Sequence, residues 1–491
     1  MRGVVAAGHP VTADAGAEIL RAGGNAVDAA LAAMFTSFVA EPMLTGLGAG
    51  GYMLVAPPGE RPVLLDFFVE APGRGLEPGA AHAPLIAVDV DFGDAVQVFN
   101  IGAAAAGPYG TLSGAWTAAE RFGRLSPAEL VAPAVAAARG GVEVNDTQAY
   151  LFKILSPITA ATPEARALFM PRGRSPRAGE DHRDPVLADA LERLASEGPA
   201  PFYTGDVAEA VCDWVAERGG LLTRADLAAY ETVAREPVRV GYRGQSVLTN
   251  PPPSAGGILL AYALALLERA PAPPSVAAIV TAMEAAQAER TQEFLAGLPE
   301  PGFLERFSAS RLGATTHISA VDADGWASTV TCTNGEGCGE VVPGTGIHLN
   351  NMMGEQDLSP FGFHAHPPGR RLPSMMAPTI VLGDGGPHLV LGSAGSNRIR
   401  SAILQVVIGV LDHGLDVQAA IDAPRVHFED DVVYLEPGVE TAELEAEQRT
   451  LVRFAARNLF FGGAQAVLRE PVDGALTGGC DPRRGGAVSV A

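Results

Sequence analysis

The sequence predicts an α+β fold, a four-layer αββα sandwich in which helices enclose two groups of antiparallel strands. Three features indicate this architecture. A long central region has helical length and periodicity. Strand pairs joined by short turns lie before that region and again after it. No internal repeat and no clear linker interrupts the 491 residues, so we expect one layered unit.

The composition narrows the class of protein. Hydrophobic residues make up 47% of the chain and charged residues 18%, which is typical of a globular enzyme and not of a disordered chain. The formal net charge of −22 disfavours nucleic acid and anionic lipid as partners. The sequence has no run of about 18 apolar residues that would predict a transmembrane helix. The four cysteines form neither a disulfide framework nor a metal-ligand pattern, so we expect free thiols.

The first residues bear on localisation. They lack a basic stretch followed by an apolar run and a cleavage site, which is the pattern of a signal peptide. A cytoplasmic location is therefore the default expectation. Secretion stays open if the true start of the protein lies elsewhere.

The amino-terminal region predicts a strand followed by two helices. Residues 4–7 have strand character, and Thr12 is a candidate cap for a helix that stops before two glycines. Asn25 is the candidate cap of a second helix, which runs to about Val39. This second helix is apolar on nearly every side, which predicts that it is buried.

A glycine-rich stretch at 45–55, TGLGAGGYMLV, resembles the fingerprint of a dinucleotide-binding loop. That fingerprint requires a strand before the glycines and a helix after them. Here a predicted helix precedes the glycines and a strand follows them, so we expect a loop that packs closely against another layer. Strands at 52–56 and 62–68 then form a predicted hairpin.

The central region is predicted to be mostly helical, with Asp206, Thr223 and Ser275 as candidate caps. The segment 157–184 is rich in Pro, Arg and Gly, which indicates a surface loop, and 238–249 has the pattern of a strand. The predicted helices lie at 127–139, 185–197, 207–218, 224–230, 257–269 and 275–293.

The strand pattern returns after residue 313. Two strands, 317–322 and 326–333, flank a turn, and 379–392 forms a second predicted hairpin. The remaining predicted elements are a helix at about 397–412, a strand near 432–436, a helix from 440 and a final strand near 464–469.

The stretch from Gly313 to Gly335 allows two interpretations. Thr315 and its neighbour are typical of residues that open a β-hairpin. Cleavage between Ala314 and Thr315 would instead create a free α-amine with a pKa of about 7.7–8.0, able to take the proton of the same residue's hydroxyl. Residues 294–312 would then be a tail ahead of the cut. These residues alone leave both interpretations open.

Motifs along almost the whole chain are similar to those of one family. They are AAGHPVTADAGAEILRAGGNAVDAALA with GLGAGGYM, then TTHISAVDADG, PGTGIHLNNM, RRLPSMMAPTIV, GSAGSNRI and CDPRRGG. In order and spacing they resemble the γ-glutamyltranspeptidases, which are N-terminal nucleophile hydrolases. The resemblance implies a zymogen that cleaves itself into a large subunit, 1–314, and a small subunit, 315–491, which together form one αββα unit. It implies no metal or organic cofactor.

The resemblance also implies catalytic roles. Thr315 would be the nucleophile and Thr333 the threonine that hydrogen-bonds to it. Gly395 and Ser396 fall at the family's two-glycine position, whose backbone N–H groups form the oxyanion hole. Serine is compatible with this role because the donor belongs to the main chain. A second interpretation of Ser396 is that it caps the following helix.

The substrate-binding positions depart from the family pattern. Phe68 occupies the place of an arginine that grips the substrate α-carboxylate, and phenylalanine cannot make that charged, two-pronged contact. Ser374 and Met375 stand where the family has paired serines. Met352 stands at a Glu or Gln position, and Glu355 keeps the negative charge of a family Asp.

Two further positions leave alternatives open. A family asparagine aligns with Gly335, or with the adjacent Asn334 if the alignment slips by one residue. Arg370 or Arg371 could supply a replacement cation for the missing arginine, although Arg371 already matches a basic position of the family.

The sequence therefore predicts an amide hydrolase or acyltransferase with an acyl specificity other than γ-glutamyl. Its expected partners are a small-molecule amide and a water or amine acceptor, with no nucleic acid and no membrane. Its two fragments would form a heterodimer that could pair further. Two alternatives stay open: an ordinary γ-glutamyltransferase or glutathione hydrolase, and an unprocessed member that binds without catalysis.

Overall fold

The computed structural model describes residues 1–91, 96–289, 294, 298, 316–359 and 361–491. The strands are β1 Gly3–Ala7, β2 Gly50–Ala56, β3 Val63–Phe67, β4 Ile86–Asp91, β5 Val96–Ile101, β6 Val142–Glu143, β7 Asp181–His182, β8 Val233–Arg235, β9 Val238–Tyr242, β10 Gln245–Thr249, β11 Thr316–Asp322, β12 Ala327–Thr333, β13 Val341–Val342, β14 Ile347–His348, β15 Thr379–Gly383, β16 Gly386–Ala394, β17 Val426–Glu429, β18 Val432–Leu435, β19 Thr450–Arg453, β20 Gly463–Arg469, β21 Leu476–Cys480 and β22 Ala487–Val490.

The α-helices are Pro10–Arg21, Ala26–Ala40, Thr111–Phe122, Pro127–Gly140, Asp146–Ile154, Ser156–Thr159, Pro163–Phe169, Pro185–Glu197, Ala200–Tyr203, Asp206–Glu217, Arg224–Ala228, Ala255–Glu268, Val276–Ala288, Arg398–Leu411, Val417–Asp422 and Ala442–Ala446. Short 3-10 helices lie at Ala103–Ala105, Met352–Gly354, Gln356–Leu358, Leu459–Phe461 and Pro482–Arg484. In the described part of the chain, none of these helices is both long and apolar enough to cross a membrane.

Two antiparallel sheets form the centre of the molecule. The first has seven strands in the order β22-β1-β11-β12-β2-β3-β8, and the second has six in the order β21-β20-β16-β15-β10-β9. The hairpin β11–β12 packs against β16 of the second sheet. Every residue of β1, β2, β11 and β12 is buried, because each strand has a sheet on one face and helices on the other.

The imidazole of His317 lies between the two sheets. Its Nδ1 is 2.8 Å from Thr331 Oγ1, and its Nε2 is 2.9 Å from the hydroxyls of Ser319 and Thr329. A Cβ atom at Gly392 of β16 would overlap this ring, so glycine permits the close approach of the sheets. Burial lowers the pKa of His317 to about 3, so the ring is neutral and satisfied by hydroxyl groups.

Helices cover both outer faces. The helix Ala26–Ala40, buried at every residue, packs on β11 and β12. The helices Ala255–Glu268 and Arg398–Leu411 pack on the six-stranded sheet. The predicted four-layer αββα sandwich is thereby confirmed, and so is the predicted burial of the second helix.

The helix caps are partly as predicted. Asn25 caps its helix with a reciprocal pair of hydrogen bonds to Asp28, and Thr223 and Ser275 also cap theirs. The prediction for Thr12 is wrong. The first helix begins at Pro10 and His9 caps it, so the cap lies three residues earlier than predicted and Thr12 is inside the helix.

Other predicted elements differ in their bounds. Gly205 and not Asp206 precedes its helix. The segment 238–249 is two strands, β9 and β10, because Arg243 and Gly244 have positive φ angles of 50° and 76° and reverse the chain. The predicted loop 157–184 contains a helix, Pro163–Phe169, and the strand β7.

The carboxyl-terminal part extends further than predicted. The strand β20 is not the last one, because β21 pairs with it and β22 pairs with β1 at the edge of the first sheet. The hairpin β4–β5 also has no counterpart in the sequence predictions. The predicted tail 294–312 lies outside the described residues, apart from two isolated positions.

A buried ionic cluster joins the ends of several late elements. Asp481, fully buried, pairs with Arg425 at 2.7 Å and Arg483 at 3.2 Å, and Arg483 pairs with Glu436 at 2.5 Å. Asp481 also accepts the backbone N–H of Ala464 in β20 at 2.8 Å. Although burial alone would raise it, the two guanidinium groups lower the pKa of Asp481, so this carboxylate is ionised.

Asp481→Ala is expected to lower the free energy of unfolding by about 3–5 kcal/mol, because it removes the carboxylate that pairs with the buried guanidinium group of Arg425 and leaves Arg483 with Glu436 alone. Equilibrium urea denaturation measures the change. Asp473→Ala, which removes an exposed carboxylate in the turn after β20, is the control and should cost less than about 1 kcal/mol. Equal losses in the two variants would contradict the assignment of stability to the cluster.

Candidate functional site

The hairpin β11–β12 supplies one side of the site. The predicted cleavage residues, Ala314 and Thr315, lie outside the described residues, and Thr316 is the first described residue of β11. Thr316 pairs with Cys332 of β12. Its hydroxyl lies on the helix side of the sheet, where it donates to Glu41 at 2.9 Å. The next residue, His317, lies on the opposite face, as alternation along a strand requires.

Thr333 ends β12 and holds the turn that follows. Its buried hydroxyl accepts the backbone N–H of Gly335 at 2.7 Å. Gly335 has a φ angle of 65°, and a Cβ atom there would overlap the side chains of Asn351 and Glu355. Glycine is therefore required at this position, and an asparagine aligned here would not fit.

The side chain of Asn334 is buried. Its Nδ2 donates to the carbonyl of His348 at 3.3 Å, and its backbone N–H donates to the carbonyl of Leu44 at 3.0 Å. Its side-chain oxygen has no hydrogen-bond partner among the residues described. Asn334 thus connects the hairpin to the glycine-rich loop that begins at Thr45.

Gly395 and Ser396 supply the other side of the site. They follow β16 with φ angles of 118° and 58° and precede the helix Arg398–Leu411. Neither backbone N–H donates a hydrogen bond to any described residue. The N-cap position belongs to Asn397, so the interpretation of Ser396 as the helix cap is wrong.

A small cavity joins the two sides. Its volume is about 40 Å³, and its lining includes Gly335 and Glu336 from the hairpin and Gly395 and Ser396 from the end of β16. The structure therefore brings together the turn held by Thr333 and the predicted oxyanion-hole residues, although they are about sixty residues apart in the chain.

Three charged residues line this cavity: Glu336, Arg398 and Arg484. The sequence predictions did not include them. Burial, followed by the like charge of Arg398, lowers the pKa of Arg484 to about 10. Burial raises the pKa of Glu336 to about 7. The only sequence signal was that Arg398 and Arg484 lie within the two late motifs, GSAGSNRI and CDPRRGG.

Phe68 and Met352 lie together in an apolar part of the core. Phe68 is 1% exposed and stacks on Tyr52, with 5.5 Å between ring centroids. Met352 is also 1% exposed, and Val69 and Met376 belong to the same cluster. Two of the departures from the family pattern thus belong to one buried apolar cluster, and neither residue lines the 40 Å³ cavity.

Ser374 and Met375 have different surroundings. The hydroxyl of Ser374 accepts the backbone N–H of Met376 at 3.1 Å. Met375 packs in the other core, beneath the helix Ala255–Glu268, and does not join the Phe68 cluster. Glu355 is half-buried beside Gly335. Of these, only Glu355 approaches the turn after Thr333.

Arg371 is held by structural contacts. Its guanidinium lies 3.6 Å from Asp66 and 3.5 Å from Glu70, and it donates to the carbonyl of Phe68 and the hydroxyl of Tyr230. The side chain is 7% exposed. It therefore has little capacity left to bind a substrate carboxylate.

Glu41 is a titratable residue that the sequence predictions missed. It follows the helix Ala26–Ala40 and is 2% exposed. It accepts hydrogen bonds from Thr316 and Thr12. Burial raises its pKa to about 7. Glu41 and Thr316 are 275 positions apart in the chain, so no local sequence pattern indicates this contact.

The described residues contain no group of three or more His, Cys, Asp or Glu placed to hold a metal ion.

Comparison with known proteins finds similarity over the whole chain. The family model described as gamma-glutamyltranspeptidase matches residues 12–301 and 299–491. The chain is 32% identical to the Acylase ACY 1 proenzyme of Pseudomonas sp. (strain SE83), covering 97% of this chain and 91% of that one. It is also 32% identical to the Glutathione hydrolase proenzyme of Escherichia coli (strain K12), covering 98% and 90%. The crystal structure of cephalosporin acylase from Bacillus halodurans superposes with a TM-score of 0.83 at 28% identity, covering 100% and 96%.

Gly335→Ala is expected to destabilise the protein by about 2–5 kcal/mol. A left-handed backbone costs an alanine about 1–2 kcal/mol, and displacing Asn351 adds about 1–3 kcal/mol. Gly344→Ala is a matched control, because Gly344 has a φ angle of 73° and nothing within 4 Å of a Cβ atom. Differential scanning calorimetry should show the larger loss for Gly335→Ala, and equal losses would contradict the crowding at this turn.

Proposed function

This chain belongs to the γ-glutamyltranspeptidase family, and on that premise we propose that it cleaves itself before Thr315 and uses this threonine as its nucleophile. Proteins of this family are hydrolases and transferases of the N-terminal nucleophile type. The chain is accordingly an amide hydrolase or acyltransferase. The identity of the nucleophile, the fragment boundaries and the acyl group are the proposed parts.

The observation that carries the proposal is the meeting of two distant segments around one cavity. Thr333 holds the turn at Gly335 on one side, and Gly395 and Ser396 end β16 on the other. Residue 315 directly precedes β11, which pairs with β12 and packs against β16. A nucleophile at position 315 is therefore adjacent in the chain to the strands that bring both sides of the cavity together.

In the proposed reaction, the α-amine of Thr315 takes the proton of its own hydroxyl, whose oxygen attacks the amide carbonyl. The backbone N–H groups of Gly395 and Ser396 stabilise the oxyanion, and each such donor contributes about 2.7–4 kcal/mol. The leaving amine takes a proton, and a Thr315 acyl ester remains. Water or a second amine then attacks this ester and regenerates the enzyme.

Our proposal for the acyl specificity rests on the departures from the family pattern at Phe68 and Met352. An α-carboxylate placed against Phe68 and Met352 would lose its water without gaining a cation, because Arg371 already pairs with Asp66 and Glu70. We therefore infer that the preferred acyl group lacks the charged α-carbon of a γ-glutamyl group. The similarity to acylases is in keeping with this preference.

The second candidate function is that of an ordinary glutathione hydrolase. The observation in its favour is the similarity to the Escherichia coli protein of that name. It requires another group to hold the α-carboxylate, and Arg398 and Arg484, which both line the cavity, are cations that could do so.

The wild-type protein is expected to give two fragments on a denaturing gel, of 314 and 177 residues from the total of 491. Thr315→Ala should give only the full-length chain, because the attacking hydroxyl is absent. Thr315→Ser keeps a hydroxyl and serves as the conservative control that still cleaves. Intact mass measurement locates the cut, and cleavage that survives Thr315→Ala would show that another residue is the nucleophile.

A pair of anilides tests the specificity. Butyryl anilide is γ-glutamyl anilide without its α-amino and α-carboxylate groups. A desolvation penalty of about 3 kcal/mol for the unpaired carboxylate corresponds to a kcat/KM about 100-fold higher for the butyryl compound. Steady-state rates of aniline release measure the ratio. A faster reaction of the γ-glutamyl compound would favour the glutathione hydrolase instead.

A further inference from the structure

The side chain of Asn397 makes an unusual contact for its position in the fold. Asn397 directly follows Ser396 and occupies the N-cap position of the helix Arg398–Leu411. An asparagine at this position normally accepts a backbone N–H of the first helical turn, but here the side chain makes no such bond. Its Nδ2 instead donates to Oε1 of Glu429 in β17. The side chain therefore connects the turn after β16 with β17 and leaves the helix without a side-chain cap.

Glu429 is held in turn by two further side chains. Its Oε2 lies 3.3 Å from Nε2 of His427, and Nδ1 of His427 lies 2.8 Å from the hydroxyl oxygen of Ser401. His427 and Ser401 are both buried. Asn397, Glu429, His427 and Ser401 thus form one continuous hydrogen-bonded chain, which we call the Glu429 network.

The charges of the Glu429 network define the direction of its hydrogen bonds. Although burial alone would raise it, the hydrogen bond from His427 and the positive charge of Arg398 lower the pKa of Glu429 to about 2. Burial lowers the pKa of His427, so this ring is neutral near pH 7. An ionised carboxylate only accepts hydrogen bonds, so Nε2 of His427 carries the hydrogen and Nδ1 accepts the hydroxyl of Ser401. Both carboxylate oxygens of Glu429 therefore have a donor.

The Glu429 network contains the residue types of a Ser-His-acid catalytic triad. Ser401, however, lies inside the helix Arg398–Leu411 and is 5% exposed. Neither Ser401 nor His427 lines the cavity between the hairpin and the end of β16. A nucleophile must reach its substrate, so this network acts on the turn that it contacts and not as a second nucleophilic site.

The turn after β16 is also restrained from its other side. A Cβ atom at Gly395 would lie 2.7 Å from the Cα atom of Gly462, so the two backbones are in close contact. The carbonyls of Gly395 and Ser396 accept the backbone N–H groups of Arg398 and Ile399 at 3.0 and 3.1 Å. The carbonyl groups of the turn are therefore used by the helix, and the contact of Asn397 with Glu429 adds a side-chain restraint one residue beyond Ser396.

We propose that Asn397 and Glu429 are positioning residues, which hold the backbone N–H groups of Gly395 and Ser396 in the arrangement that binds the oxyanion. The proposal rests on the proposed function and deepens it, because it adds a support outside the cavity. Ser396 is a non-glycine residue with a φ angle of 58°, and such a conformation persists only where its surroundings determine it. The separate three-stranded sheet of β17, β18 and β19 thereby supports the site.

An exchange of donor and acceptor tests the contact. Asn397→Asp places a second carboxylate against Glu429. It should lower kcat for the anilide that the wild type hydrolyses faster by about 100-fold and leave KM unchanged, because oxyanion donors act in the transition state. Adding Glu429→Gln restores the pair, since the introduced amide can donate to the introduced carboxylate and still accept from Nε2 of His427.

The double variant is the decisive measurement. It should recover kcat to within about 10-fold of the wild type, because the coupling of two residues in contact appears as non-additivity in a double-mutant cycle. A double variant that is no faster than Asn397→Asp alone would overturn the proposal. If Asn397→Asp is not cleaved, recovery of cleavage in the double variant is the corresponding measurement.

Asn397→Ala decides the question if the charged variant does not fold. It removes the contact with Glu429 without adding a charge, and it should lower kcat about 10-fold at unchanged KM, because small displacements of groups that act on the reacting atoms are costly. Asn25→Ala is the matched control. Asn25 is also buried, and its Nδ2 donates to the carbonyl of Phe122 at 2.7 Å. This control should lower Tm and leave kcat unchanged. An unchanged kcat in Asn397→Ala, or equal losses of kcat in the two variants, would contradict the positioning role.

These results are distinguishable from failure of the proposed function. Denaturing gels accompany each assay, and kcat is calculated per cleaved enzyme. If the wild type is cleaved and active but Asn397→Ala has the same kcat, only the inference about the Glu429 network fails. If the wild type is neither cleaved nor active on either anilide, the proposed function fails as well.

Discussion

The close contact between His317 and Gly392 is the constraint on which the rest of the structure depends. The imidazole of β11 lies against the backbone of β16, and any side chain at position 392 would push the two sheets apart. Because β16 continues into Gly395, this contact also fixes how far the predicted oxyanion-hole residues lie from the start of β11. The packing of the core and the geometry of the site therefore depend on the same contact, because protein interiors are close-packed.

The two sides of the proposed site differ in how they are held. The turn after Thr333 is held by a hydroxyl-to-backbone hydrogen bond and by glycine at a crowded, left-handed position. Gly395 and Ser396 are held in left-handed conformations that leave their N–H groups free of described acceptors. Such strain in a non-glycine residue, Ser396, is common where a backbone must point its donors at a ligand.

The residues near the cavity and the residues of the Phe68 cluster differ in charge. Glu41, Glu336 and Arg484 are titratable groups with shifted pKa values near the cavity, whereas the Phe68 cluster is apolar. In the proposed function, the first set would adjust proton transfer, and the second would disfavour a charged acyl group. The departures at Phe68 and Met352 therefore belong to the apolar cluster, whereas the predicted oxyanion-hole residues, Gly395 and Ser396, line the cavity.

The sequence by itself determined the fold class, the family, and most helices and hairpins, because periodicity, caps such as Asn25 and turn residues are local signals. It also marked Thr333, Gly395 and Phe68 as positions of interest. Only the tertiary structure decided that Gly335 cannot carry a side chain and that Met375 lies apart from Phe68. It alone brought Glu41 to Thr316, since side chains that meet across layers leave no local pattern in the chain.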